Sequence, residues 1–223
     1  ALIALGRLDE AREQLDGWLQ HAPFRSSPAR MRHVTRTAAL LAADYREFRS
    51  EPNVGRGWLE RSRGLLPESP RGPAHGMTML IEADYLLVVD GEPEPAAEIC
   101  RDAVAVGREL GNHDLEAIGL AQLGTALVSL GEVSEGMRSL DGALAIATSE
   151  PLEFPFTLGW ATCCMISACE RVGDFRRATE WCDRAREFVE RWGGRQLLGI
   201  CRSSYGTVLA AHGDWNAAEG ELT

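Results

Sequence analysis

The sequence predicts an all-α fold, an array of antiparallel helix hairpins. Three observations carry that expectation. Glycines that interrupt helical patterns recur at near-constant spacing: Gly91, Gly131, Gly173 and Gly213 stand 40, 42 and 40 residues apart, and Gly6 lies 85 residues before Gly91, about two periods. Five residues after each glycine comes a small residue (Ala11, Ala96, Gly136, Ala178, Ala218), and four further on Leu15, Cys100, Leu140, Cys182 or Leu222. On both sides of each glycine, apolar residues recur at helical spacing. A small residue lets two helices approach closely, and the larger one fills the groove between them.

The elements follow in chain order as six hairpins, at about 1–20, 29–66, 76–110, 114–148, 156–192 and 196–223, in one array over 1–223. In the first, Gly6 turns the chain and Leu8, Ala11, Leu15, Trp18 and Leu19 form the next stripe. Pro23 and Pro28 bracket a connection. A helix over 29–48 shows Val34, Ala38, Leu41 and Tyr45 about one turn apart. No glycine turn follows it, only Ser50-Glu51-Pro52-Asn53, before the stripe Trp58, Leu59, Ser62, Leu65, Leu66. Residues 67–76, PESPRGPAHG, read as a linker. Residues 77–89 are nearly apolar all round, as in a helix buried between neighbours. Gly91 then Pro93 gives the helix-end, helix-start asymmetry, and Ala96, Ile99, Cys100, Ala103 and Val106 line the partner.

The stretch Asp114 to Thr148 is the cleanest unit. Leu120, Leu123, Gly124 and Leu127 lie on its first helix; Gly136, Leu140, Ala143 and Leu144 line its second. After the two prolines of 149–155, helices over 156–171 and from Ala178 to Val189 flank Gly173-Asp174. Gln196 to Ala211 and Ala218 to Leu222 flank Gly213-Asp214.

The unit resembles the tetratricopeptide repeat, which has Leu-Gly in the first helix, a glycine turn, then Ala and a larger apolar residue in the second. Leu123-Gly124 and Tyr205-Gly206 with Gly131 and Gly213 follow it. The period departs from the ~34 residues of that repeat. A HEAT-like array has a comparable period but lacks the Gly-and-Ala signature. The resemblance implies a right-handed superhelical solenoid. The phrases LGTALVSLGEVSEGMRSLDGALA, CCMISACERVGDFRRATEWCDRA and GICRSSYGTVLAAHGDWNAAEGEL are similar to the helical-repeat region of large actinobacterial LuxR-family transcription regulators. That resemblance implies a sensor or interaction region, with an ATPase module before it and a helix-turn-helix after it. The chain starts inside a first helix and stops inside a second one, with no polar capping helix, so a fragment of a longer protein is expected.

Composition narrows the function. A net charge of −10 opposes direct nucleic-acid binding, which needs a basic face. The charge is uneven: residues 1–75 hold 12 Arg against 9 acids, and residues 76–223 hold 11 Arg against 24 acids. All 23 basic residues are Arg. Without lysine there is no Walker A phosphate loop and no Schiff-base amine. No apolar run approaches the ~18 residues that span a bilayer, and the start carries no leader, so no membrane partner and a cytoplasmic home are expected.

The six cysteines (Cys100, Cys163, Cys164, Cys169, Cys182, Cys201) form no zinc pattern. Cys169 and Cys182 fall where other repeats carry Leu, the mark of packing groups. Neither HExxH nor GxSxG occurs. Glu94, Glu98 and Asp102, at i, i+4 and i+8, read as a solvated stripe. No enzyme, cofactor or metal site is expected.

What remains is a surface. Trp160 falls on the face of its helix away from the partner helix, and by the same register Tyr85, Thr125, Ser167, Arg171 and Ser203 join it. In superhelical arrays such an inner, concave face binds partners. The expected partner there is a protein, a peptide or a small effector, with the flanking domains of the same chain as further partners. The alternative is a stand-alone scaffold or dimerisation adaptor, with homo-oligomerisation as its readout.

Overall fold

The computed structural model describes residues 10, 12–14, 17, 28–47, 49–66, 72–154, 156–192, 205–211 and 213–222. Every regular element among them is helical: α1 (Pro28–Glu47), α2 (Pro52–Leu65), α3 (Pro73–Tyr85) running into a π turn (Leu86–Asp90), α4 (Pro93–Leu110), α5 (His113–Ser129), α6 (Val133–Ser149), α7 (Thr157–Val172), α8 (Phe175–Trp192), α9 (205–211) and α10 (Trp215–Leu222). The architecture is an all-α repeat of helix pairs with tetratricopeptide-like periodicity. Of the hairpin expected over 1–20, the described residues 10, 12–14 and 17 are helical and the rest lies outside.

The recurring glycines end helices by one mechanism. Gly91, Gly111, Gly131, Gly173 and Gly213 all hold φ between +60° and +85°, the left-handed region closed to most side chains. At Gly131 the backbone N–H donates to the Val128 carbonyl at 3.1 Å and the next N–H, of Glu132, reaches back to Leu127 at 2.9 Å. This is the Schellman arrangement, which satisfies carbonyls that the helix end would leave bare. Gly111, Gly173 and Gly213 repeat it. The residue after them starts the next helix: Asn112 Oδ1 accepts the Leu115 N–H at 2.9 Å, Asp174 Oδ1 the Arg177 N–H and Asp214 Oδ1 the Ala217 N–H, each at 3.2 Å.

The turn expected at Ser50-Glu51-Pro52-Asn53 joins α1 to α2 without a glycine, Ser50 taking the left-handed conformation instead, at φ 55°. One expectation needs correction. The stretch 67–76 is not all linker: α3 begins at Pro73, whose missing N–H costs nothing in a first helical turn.

The chain divides into two compact units, Ala1–Leu115 and Glu116–Thr223. In the first, α1 packs on α2 and α3, and α3 packs on α4. Its core includes Val34, Leu41, Leu59, Leu80 and Ile81, none more than 2% exposed. Buried hydroxyls tie three helices together: Ser62 Oγ donates to the Thr35 carbonyl at 3.0 Å and meets Thr78 Oγ1 at 2.8 Å, while Thr78 reaches Ala74 O at 2.9 Å.

In the second unit, Leu140, Ala143, Leu144, Ala161, Met165, Cys169, Ala178 and Val208 form the core, with Leu120, Phe175 and Trp181 packed against it. Burying one Leu or Met here is worth roughly 1.5–3 kcal/mol. The α5–α6 crossing is set by two glycines. A Cβ on Gly124 would lie 2.7 Å from the Gly136 carbonyl oxygen, and a Cβ on Gly136 would lie 2.7 Å from the Gly124 carbonyl oxygen. Gly136, one of the small residues noted in sequence, is therefore a contact point, and Ala96, Ala178 and Ala218 at the same place are all buried; Ala11 lies outside the described residues.

Candidate interaction face

In the second unit, α7 has one side less buried than the other. Its buried residues are Thr157, Gly159, Ala161, Thr162, Met165, Ile166, Ala168 and Cys169. Trp160, Cys163, Cys164, Ser167 and Glu170 are half-buried and Arg171 is exposed. These recur at i, i+3, i+4, i+7, i+10 and i+11, the spacing of a single helical stripe. The expected residues Trp160, Ser167 and Arg171 thus share one face. Cys163 and Glu170 belong to it and were missed, although the same spacing marks them in the sequence; Cys164, at its edge, packs against the core of the unit.

Thr125 on α5 is half-buried, and Ser129 one turn later is exposed. Their hydroxyls bond within the helix: Thr125 Oγ1 donates to Ala121 O at 3.1 Å and Ser129 Oγ to Thr125 O at 3.0 Å. Each keeps lone pairs for an outside donor. Ser203 lies outside the described residues.

Tyr85 is a correction. It is 1% exposed, and its hydroxyl donates to the Ala42 carbonyl at 2.9 Å. Gly55 makes room for it, since a Cβ there would stand 1.9 Å from the Tyr85 oxygen. The cause of the misplacement is the π turn. Glu92 N–H reaches back six residues to Leu86 O, where Glu132 N–H reaches back five to Leu127 O. The turn before Gly91 therefore holds one more residue than the turn before Gly131, and counting back from the glycines misaligns α3 by one. With that residue allowed for, Ala74 to Ala83 repeat the burial pattern of Leu115 to Gly124 position for position. Tyr85 then matches buried Ala126, and the position of Thr125 falls to Asp84.

The five described cysteines are thiols. Cys169 is fully buried with its thiol 3.6 Å from Met165 Sδ, and burial pushes its pKa up to about 11. Cys100 and Cys182 are also buried, as packing groups are; Cys201 lies outside the described residues. Among the described residues no three His, Cys, Asp or Glu side chains converge as a metal site. No described helix is long and apolar enough to cross a membrane.

No family model matches the sequence, and no curated protein is similar to it at a significant level. Solved structures are similar in fold. A putative kinesin light chain from Podosopora anserina with nearly identical TPR-like repeats superposes with a TM-score of 0.52 at 17% identity, covering 88% of this chain and 93% of that one. A point-substituted form of the same protein gives 0.53 at 16% identity, over 86% and 92%. BtubC (BKLC) from P. vanneervenii gives 0.58 at 18% identity, over 96% and 86%. At these identities the likeness concerns fold. This chain has a tetratricopeptide-like fold.

Proposed function

We propose that the chain is a non-enzymatic protein-interaction module that holds a protein or peptide segment against the open stripe of α7. The observation that carries the reading is Trp160, half-buried on the less buried side of a helix whose opposite side is packed. Trp and Arg dominate binding energy at protein interfaces, and here Trp160 shares its stripe with Arg171. Thr125 on α5 supplies a further polar group of the same unit. Repeat arrays of this class present extended binding surfaces.

Panning a displayed random-peptide library against the immobilised chain tests this. Peptides it selects should bind the double variant Trp160→Ala, Arg171→Ala at least about tenfold more weakly, the loss of ~1.4 kcal/mol. The circular dichroism of the variant should be unchanged. Peptides held equally well by both proteins would refute the stripe as the site.

A second reading assigns the module to a cytoplasmic LuxR-type regulator, as its sensor region. The three phrases around Gly131, Gly173 and Gly213 favour it. In that setting a bound effector would bias the flanking domains through differential affinity for their two states. Coding sequence on either side with a lysine-containing phosphate loop and a helix-turn-helix would support this; further repeats alone would leave a scaffold. Light scattering addresses the adaptor form of the scaffold, which requires a stable dimer at micromolar concentration.

A further inference from the structure

Asp84 is the least expected residue of the first unit: a carboxylate 5% exposed within a largely apolar helix. Its counter-ion is Arg46 of α1, with a side chain 12% exposed, and Arg46 also pairs with its own neighbour Glu47. One guanidinium thus serves two carboxylates, one on each helix. The other charged groups nearby are already engaged. Arg49 pairs with Asp44 at 3.1 Å and lies over the Tyr45 ring. From α2, Arg56 meets Asp90 of the π turn at 2.7 Å and lies over the Tyr85 ring, and Arg63 meets Glu82 at 2.9 Å. The charged side chains of α4 (Glu94, Glu98, Arg101, Asp102, Arg108, Glu109) are all exposed. The corresponding positions of the next two repeats hold Thr125 and Ser167, neutral side chains.

We propose that Asp84 is a proton-binding site inside the folded first unit, and that proton uptake there leaves Arg46 paired with Glu47 alone, dissolving the charged link between α1 and α3. Taking a carboxylate out of water favours its neutral form; Arg46 opposes this by pairing with the charged form, and Glu47 adds a smaller like-charge pressure toward the neutral one. These forces push the Asp84 pKa up to about 6, burial being the largest. Because the folded chain then holds the proton more tightly than the unfolded chain, stability falls as pH rises from about 4 to about 6 and levels off above. Acid therefore stabilises the folded unit even as it removes the ion pair, because the cost of burying the charge outweighs what the pair returns. Tyr85, its phenol pushed up to about 12 by burial, stays a neutral donor throughout.

The test is carboxyl-carbon NMR of the whole chain between pH 3.5 and 8, for the wild type, Asp84→Asn and Glu47→Gln. The Asp84 signal should titrate near pH 6, and Glu47→Gln should lower that midpoint. Relative to Asp84→Asn, the folding constant of the wild type should fall about a hundredfold across the window, the equivalent of roughly two pH units of pKa difference. A midpoint at or below pH 4 would overturn the proposal, as would one that Glu47→Gln leaves in place. Asp84→Asn carries no charge to bury, so a folded variant is expected; its loss of fold would show the ionised form to be required and would equally overturn it.

Discussion

Replacing Gly124 by Ala tests whether the α5–α6 crossing rests on backbone contact. A Cβ there would stand 2.6 Å from Leu140 Cγ, 2.7 Å from the Gly136 carbonyl oxygen and 3.1 Å from the Leu140 amide nitrogen. Leu140 Cγ can shift with its rotamer, but the two backbone atoms move only if α6 moves. Alanine gains about 1 kcal/mol over glycine in a helix interior. Overpacking a close contact costs typically 1–3 kcal/mol. Leu140 also anchors the unit's core, so displacing it loosens contacts beyond the clash. The net expectation is a loss of about 1–2 kcal/mol. Gly142→Ala on the same hairpin is the control, because its Cβ would meet nothing nearer than 3.8 Å, from Leu120 Cδ1. It should keep most of the helix-propensity gain. Urea unfolding followed by circular dichroism reads both. If Gly124→Ala proves as stable as Gly142→Ala, the two helices are not in backbone contact and the role assigned to the small residues is wrong.

Two further predictions concern the buried polar groups. Ser62→Ala removes the centre of the hydroxyl cluster joining α1, α2 and α3. It should cost about 1–3 kcal/mol, near the lower end because Thr78 keeps its bond to Ala74 O; a neutral result in denaturant titration would show that water replaces the serine. Cys169, with its pKa pushed up to about 11 by burial, should resist iodoacetamide at pH 8 in the folded chain and react on unfolding. Cys163 and Cys164, both half-buried, should be alkylated first. Mass spectrometry of peptides around Cys169 checks this, and modification of Cys169 ahead of the other two would contradict the packing.

The sequence by itself determined the fold class of this protein and most of its helices, because each feature that marks them acts locally. A glycine at φ 60° to 85° ends a helix whatever surrounds it, Asn or Asp after it caps the next one, and apolar spacing names the face to be buried. That Trp160, Ser167 and Arg171 share one side of α7 was legible for the same reason, being a property of one helix. Local signals failed where the tertiary structure chose among alternatives of similar cost. Ser50 took the left-handed position that elsewhere belongs to glycine, held by a chain reversal that lets α2 pack on α1. The extra residue of the π turn leaves no mark in the sequence, since a helix bulged by one residue has the same composition as one without. Its consequence was nonetheless large: it turned Tyr85 inward to the Ala42 carbonyl and gave the position matching Thr125 to Asp84, buried there beside Arg46 of α1, 38 residues earlier. Spacing names a face of a helix; what meets that face depends on contacts between residues far apart in the chain.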